Sequence, residues 1–344
     1  MTLYNRIEGK VLKDRLLQTP HVDRVTLSFY KYHNIENPQT FRDELYKRLD
    51  SLKVLGRIYV AHEGINAQIS TPKEKFESLK AELYSISFLH GIRLNVAVDD
   101  NGKSFFKLKI LVRKKIVADG LDDSAFDVTD SGMRLNAQEF NKLADNPNTM
   151  IIDMRNHYES EVGHFQNAIC PDVDTFREEL QVAEDLMNEH KNKNLLMYCT
   201  GGIRCEKASA WIKYKGFKNV FQLNGGIIEY TRQVKEQGLE NKFIGKNFVF
   251  DERLGERITD DIISVCHQCG NPCDDHTNCK NDGCHLLFIQ CEACSKEFNG
   301  CCSQKCKDII ALPVEKQKEI RKGMNKGRQV FKKGRKQLAV TSGQ

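Results

Sequence analysis

Ten of the thirteen cysteines in this chain fall between Cys266 and Cys306, in the run CHQCGNPCDDHTNCKNDGCHLLFIQCEACSKEFNGCCSQKC. A stretch so rich in thiols and so poor in apolar side chains has too little core to fold without a cross-link or a bound ion. Cys266/Cys269 and Cys291/Cys294 are C-x2-C pairs, and the wider spacings of Cys279/Cys284 and Cys302/Cys306 also suit chelation. Four tetrahedral thiolates per ion predict one or two structural zinc sites, closed rather than catalytic. An alternating arrangement joins the first pair to the third and the second to the fourth, but spacing alone does not decide it. Cys273, Cys301, His267, His276 and His285 are spare donors. Disulfides or an iron–sulfur cluster would use the same ligands.

Compartment bears on that choice. No segment approaches the length of apolar run that a membrane span needs, and the N-terminal MTLYNRIEGKVLKDRL lacks the apolar core of a signal peptide. A cytoplasmic chain with reduced thiols and no membrane association is therefore expected. The length of 344 residues predicts two to four domains. The boundaries expected are 1–118, 119–240, 241–312 and a basic tail over 313–344.

The first domain alternates strand and helix signals: VDRVTLSFYKY, NPQTFRDELYKRLDSL, a hairpin GRIYVAHEGINAQIS, TPKEKFESLKAELY, then IRLNVAV and FFKLKILV. That βαββαβ order with an added edge strand predicts a ferredoxin-like α+β sandwich on an antiparallel sheet. His62, Glu63 and Asn66 at the hairpin tip read as ordinary turn chemistry, or as a loop touching substrate or another domain.

The second domain carries the sharpest chemical signal. In NLLMYCTGGIRCEKASAWIKYKGF, residues 194–217, the apolar run Leu195 to Tyr198 ends at Cys199, passes through Gly201 and Gly202, and restarts as a helix with Ala208, Trp211 and Ile212 at helical spacing. A strand, a glycine loop and a helix N-terminus aim backbone N–H groups at one point and favour a thiolate there. Arg204 and the helix dipole should lower the thiol pKa further. Asp153 and Arg155 follow the buried strand Met150 to Asp153, and Asn224 follows NVFQL. All three thus sit at the C-terminal strand ends where a covered parallel sheet places its ligands. Cys170 and Cys205 read as packing residues, Cys205 because adjacent side chains on a helix diverge; the alternative is a resolving thiol for Cys199.

From Val314 to the C-terminus ten Lys or Arg face only Glu315 and Glu319, a net of +8 in a chain whose total is +5. The basic character therefore belongs to the tail, where Lys322, Lys326, Arg328, Lys332, Lys333, Arg335 and Lys336 suit contacts to a polyanion such as RNA. Val330 and Phe331 are isolated apolar points within it.

IIDMRNHYESEVGHFQNAI, CTGGIR and LNGGI together resemble the rhodanese domain over roughly residues 120–237. The resemblance implies a persulfide-carrying Cys199 cradled by Thr200, Gly201, Gly202, Ile203 and Arg204. Four residues separate Cys199 from Arg204, one fewer than in the related phosphatase loop, and the tighter ring suits a single sulfur. With AHEGINA in front and CHQCG and CCSQKC behind, nearly the whole chain resembles the rhodanese-related tRNA uridine hydroxylases. That family implies oxygen-dependent conversion of the wobble uridine of tRNA to 5-hydroxyuridine, with Cys199 essential, tRNA as partner and molecular oxygen as co-substrate. No GxGxxG loop, flavin motif or His/His/carboxylate triad is present, so no organic cofactor is evident. A plain sulfurtransferase and a non-enzymatic RNA-binding protein are the alternatives.

Overall fold

The computed structural model describes residues 7, 11–12, 23–99, 102–122, 124–190, 192–322 and 329–331. Its first unit runs β1 (Arg24–Tyr32), α1 (Pro38–Ser51), β2 (Leu55–Ala61), β3 (Gly64–Pro72), α2 (Phe76–Tyr84), β4 (Asn95–Val96) and β5 (Leu108–Val112). The strand order is β4-β1-β3-β2-β5. Asn37 caps α1 by accepting from Thr40 N at 3.0 Å, with Pro38 set for the first helical turn. Alternation decides which face is buried: Leu27, Phe29, Ile58, Val60, Ala67, Ile69, Leu108 and Ile110 form the core with Leu45, Leu49, Leu79 and Leu83 of the two helices. Ser28, Tyr30, Arg57, Tyr59, Asn66 and Gln68 line a cavity on the opposite face. The ferredoxin-like sandwich is present, with one correction: β5 pairs parallel to β2, so the sheet is mixed rather than antiparallel. A strand can run parallel to β2 only if the intervening chain first returns to the start of the sheet, as it does through α2 and β4.

The second unit runs β6 (Met133–Leu135), α3 (Ala137–Ala144), β7 (Thr149–Asp153), α4 (His157–Ser160), β8 (Gly163–Phe165), α5 (Phe176–Glu189), β9 (Asn194–Tyr198), α6 (Ile203–Tyr214), β10 (Val220–Leu223) and α7 (Gly226–Gln237). Strands β6-β10-β9-β7 form a sheet that is parallel throughout. Ile152, Leu195 and Met197 pack on one side against Leu180, Ala183, Ala208 and Ile212. Ile151, Leu196 and Tyr198 pack on the other against Phe140, Ile227 and Tyr230.

The third unit is tied to the second. β11 (Phe243–Asn247) pairs antiparallel with β8 and with β12 (Glu256–Arg257), while β13 (His276–Asn278) pairs with β14 (Leu287–Ile289). Helices α8 (Glu292–Glu297), α9 (Gln304–Ala311) and α10 (Val314–Arg321) follow. Val330 and Phe331 are not isolated points in a solvated tail: Val330 bridges to Leu287, and the Phe331 ring stacks on His267 at 3.9 Å. His157 Nε2 lies 3.0 Å from the Phe331 carbonyl, so this segment joins the third unit to α4.

The hairpin tip turns out to contact another domain. Glu63 accepts from Lys207 Nζ at 2.7 Å and from the backbone N–H of Ile116 at 2.6 Å. Lys207 is 1% exposed, also lies 3.4 Å from Asp119, and sits near the rings of Tyr32 and Phe126. The first sheet is thereby clamped over the helix that follows Cys199.

Candidate active site and metal centres

Cys199 follows the last residue of β9 and the loop Thr200 to Gly202 feeds α6, so the chain turns just where the N-termini of α6 and α7 converge. Gly202 adopts φ 101°, and a Cβ there would lie 3.0 Å from the Tyr30 hydroxyl. A Cβ on Gly226 (φ 68°) would meet the Cys199 and Thr200 carbonyls at 2.5 Å. Glycine is required at both places, by the left-handed backbone and by the close approach. The second glycine lets α7 reach the loop, where Ile227 N donates to Cys199 O at 3.0 Å and Ile228 N to Thr200 O at 3.3 Å.

Cys199 is 1% exposed, and its sulfur accepts from Gly202 N at 3.1 Å. Burial alone would raise its pKa. The Cys205 thiol hydrogen bond, the Arg204 charge and the backbone N–H groups of Cys205 and Gly202 outweigh burial and hold it down to about 5. Cys205 answers in the opposite direction, its thiol pushed up by burial and by donating to Cys199. The two thiols are therefore electrostatically linked, the anion on Cys199 favoured and that on Cys205 disfavoured. Cys170, by contrast, is raised to about 12 by burial and by the Asp153 charge.

Arg204 is held by a bidentate pair to Glu159, at 2.6 and 2.9 Å, and its Nη2 lies 3.5 Å from Thr200 Oγ1. Glu159 has no exposure, and nothing in the local pattern beyond a carboxylate near a strand end marked it. Asp153 and Arg155 form a fully buried pair beneath the loop, where Tyr198 Oη also donates to Asp153 at 2.7 Å. They support the strand ends and do not line the cavity.

That cavity is about 430 Å³, within the range of small-ligand sites, and lies between the loop and the first sheet. Cys199 to Gly201, Ile203 and Arg204 line one wall; Ser28, Tyr30, Asn66, Gln68 and Asn95 line another; Phe250 and the ion-paired Asp251, Arg253 and Glu256 close it. Tyr30 Oη donates to Glu206 at 2.7 Å, and Asn95 Nδ2 to Gly201 O at 3.4 Å. Asn224, just after β10, accepts from Arg93 at 2.9 Å. Of this wall sequence reading singled out only Asn66, because the rest is built by residues over a hundred positions away from the loop with no local signal.

Two sets of cysteines converge in the third unit: Cys266, Cys269, Cys291 and Cys294, and Cys279, Cys284, Cys302 and Cys306, each with sulfurs within 4.8 Å of one another. First and third pairs thus meet, as do second and fourth. Cys269–Cys291 and Cys284–Cys302 stand at 3.7 Å and Cys302–Cys306 at 3.8 Å. Four sulfurs at ~2.3 Å around a tetrahedral ion are spaced by ~3.8 Å, whereas a disulfide brings them to ~2.05 Å. Backbone N–H groups of Cys291 and Cys302 donate to Cys266 and Cys279 at 3.4 Å, as expected around thiolates. Both sets could hold a metal ion. Cys273 and Cys301 instead pack in the adjoining apolar clusters, and both ring nitrogens of His267 have other partners.

Of the tail cations that the sequence suggests for RNA, Lys322 caps the end of α10; Lys326, Arg328, Lys332, Lys333, Arg335 and Lys336 lie outside the described residues. Lys242, Lys246, Arg253 and Arg257 are all committed to carboxylates.

A tRNA uridine(34) hydroxylase of Enterobacter sp. (strain 638) is 56% identical to this chain over 342 residues, 99% of this chain and 98% of its own. One from Escherichia fergusonii is 55% identical over 99% of this chain and 97% of its own. The chain belongs to the tRNA uridine(34) hydroxylase family. Residues 24–116 match the UPF0176 acylphosphatase-like domain, 136–233 the rhodanese-like domain and 244–307 the rhodanese C-terminal domain. Among solved structures, a rhodanese-like domain from Anabaena is 17% identical over 33% of this chain and 78% of its own, with a TM-score of 0.26. The cysteine loop is intact here, with Cys199 and Arg204 both in place. Among the described residues no helix is long and apolar enough to cross a membrane.

Proposed function

We propose that this protein hydroxylates the wobble uridine of tRNA at C5, with Cys199 as its reactive sulfur and molecular oxygen as co-substrate. The observation that carries this reading is a thiol held down to about 5 on the wall of a half-open cavity, in a chain with this family membership. At neutral pH Cys199 is a thiolate. Its addition to C6 of uracil forms the S–C6 bond and moves the C5=C6 electron pair onto C5 and the C4 carbonyl, making C5 the site of oxidation. One atom of dioxygen stays on C5 as hydroxyl; the other leaves as water with electrons and protons from a reductant. Loss of the C5 proton then expels the thiolate and restores the ring. Glu159 keeps the Arg204 charge beside the sulfur, and the apolar wall of Phe250 limits water.

The same loop favours a second state of the sulfur. Gly202 N–H already donates to Sγ, and a persulfide on Cys199 would find the same donors. A thiosulfate-to-thiol transfer assay separates the readings: sulfur transfer without any tRNA product would favour a sulfurtransferase.

We assign a structural zinc ion to each four-cysteine set, since soft thiolates in a closed tetrahedron select it. A cytoplasmic location is the reading that metal-binding thiolates and a tRNA substrate favour. Lys322, Lys326, Arg328, Lys332, Lys333, Arg335 and Lys336 are assigned to tRNA phosphates; a truncation after Phe331 with an unchanged salt dependence of tRNA binding would remove the last four of them from the interface.

Incubation of the purified protein with a tRNA transcript bearing U34 under oxygen and a thiol reductant, followed by nucleoside mass spectrometry, tests the central claim. Wild type should yield 5-hydroxyuridine and Cys199→Ser should not. Equal yields from both would sink the assignment of Cys199.

A further inference from the structure

The face of the first sheet that turns away from α1 and α2 extends well past the cysteine loop. Its residues stand in two rows across the strands. One row runs Asn95–Ser28–Gln68–Arg57–Lys109, and the next runs Tyr30–Asn66–Tyr59–Leu111, each step being a pair of directly opposed residues. Both rows start at the active site: Asn95 bonds the Gly201 carbonyl, and the Tyr30 hydroxyl abuts Gly202. At about 4.8 Å per strand, Lys109 lies roughly 14 Å from Ser28.

The outer half of that face differs from its inner half. Arg57, Lys109 and Arg113 are exposed, and none has an acidic partner among the described residues. Most other basic side chains near the cavity are engaged internally: Arg204, Arg253 and Lys207 are in ion pairs, and Lys107 donates to the Ile7 carbonyl. Tyr59 stands between these free cations as a half-buried ring, with the Arg113 guanidinium 5.8 Å from its centroid. The Gln68 side chain, between the loop and Arg57, has no hydrogen-bond partner among the described residues. A sheet face offering an aromatic ring, unpaired guanidinium and ammonium groups and a free carboxamide has the surface chemistry that holds splayed single-stranded nucleotides.

We propose that this sheet face, where it lines the clefts beside the Cys199 cavity, binds the single-stranded nucleotides flanking the target uridine, with Arg57, Lys109 and Arg113 on phosphates and Tyr59 beneath a neighbouring base. The proposal rests on the tRNA hydroxylase reading and deepens it. Its occupant is RNA because the face is cationic as well as aromatic, and because it is continuous with the wall of the Cys199 cavity. A protein segment adding to the edge of β5 would instead need the strand's backbone, not the face.

The test uses the full-length protein and a synthetic anticodon stem-loop carrying U34, titrated at several salt concentrations. Arg57→Ala/Lys109→Ala should bind more weakly, with a log–log salt slope shallower by about 1.4, some 0.7 for each single-strand phosphate that is no longer neutralised. Tyr59→Ala should weaken binding roughly 5- to 100-fold, while Tyr59→Phe, which keeps the ring, should stay near wild type. Thermal melting checks that the variants are folded; the two exposed cations are free of acidic partners and their removal should not shift it. Wild-type hydroxylation with unchanged slope and affinity in the double variant would overturn the platform alone. Absence of 5-hydroxyuridine from wild type itself would overturn the underlying reading, whatever the variants bind.

Discussion

Cys199 owes its acidity to neighbours more than to its position on the strand. The helix-terminus N–H groups and Arg204 are visible in the motif CTGGIRC, so a lowered pKa was legible from the sequence. The largest lowering influence, the Cys205 thiol, was not, because it depends on the side-chain direction in the first turn of α6. Cys205→Ala should therefore raise the Cys199 pKa from about 5 toward the ordinary thiol value of 9.0. The sign is fixed by charge: a missing donor penalises the anion, so the thiolate forms only at higher pH. The rising limb of the rate against pH should move upward in Cys205→Ala and less in Cys205→Ser, which keeps a hydroxyl donor. An unmoved limb in both variants would mean that Arg204 and the backbone suffice.

At the scale of elements, local signals survive into the structure and long-range pairings do not. Asn136 with Glu139, and Thr175 with Glu178, form capping boxes that start α3 and α5, a signal contained within four consecutive residues. The parallel placement of β5 and the docking of β11 on β8 depend on chain returns that no short window records. The cysteine module lies between these cases: spacing nominated the ligands, while β13 and β14 decided which pairs meet. Elemental analysis should find two zinc ions per chain, matching the two sets. Cys291→Ala should lower that to one. Because the bound ion supplies folding energy on the order of 10 kcal/mol in small zinc modules, the variant should also lose protease resistance over α8 and the β13–β14 hairpin while β6–β10 persist. Full metal content in Cys291→Ala would remove that residue from the ligand set.

For the whole molecule the contact that matters most is Glu63–Lys207–Asp119, which binds the first sheet to the helix behind Cys199. An ammonium group that is 1% exposed and paired with carboxylates from separate segments is costly to orphan and costly to remove. Lys207→Ala leaves Glu63 and Asp119 facing each other and should destabilise the protein by about 3–5 kcal/mol, read as a lower denaturation midpoint in urea. Lys207→Met, which refills the volume without the charge, should recover little of it; full recovery would show that packing, not pairing, holds the sheet in place. Fixed in this way, the wall over Cys199 is a vault and not a door. Each turnover must then draw its deformation from the nucleic acid: a base already unstacked in a loop enters at small cost, whereas one inside a helix has to be pried loose first. Selection among RNAs thus begins with how readily a strand comes apart, before any of its letters is read.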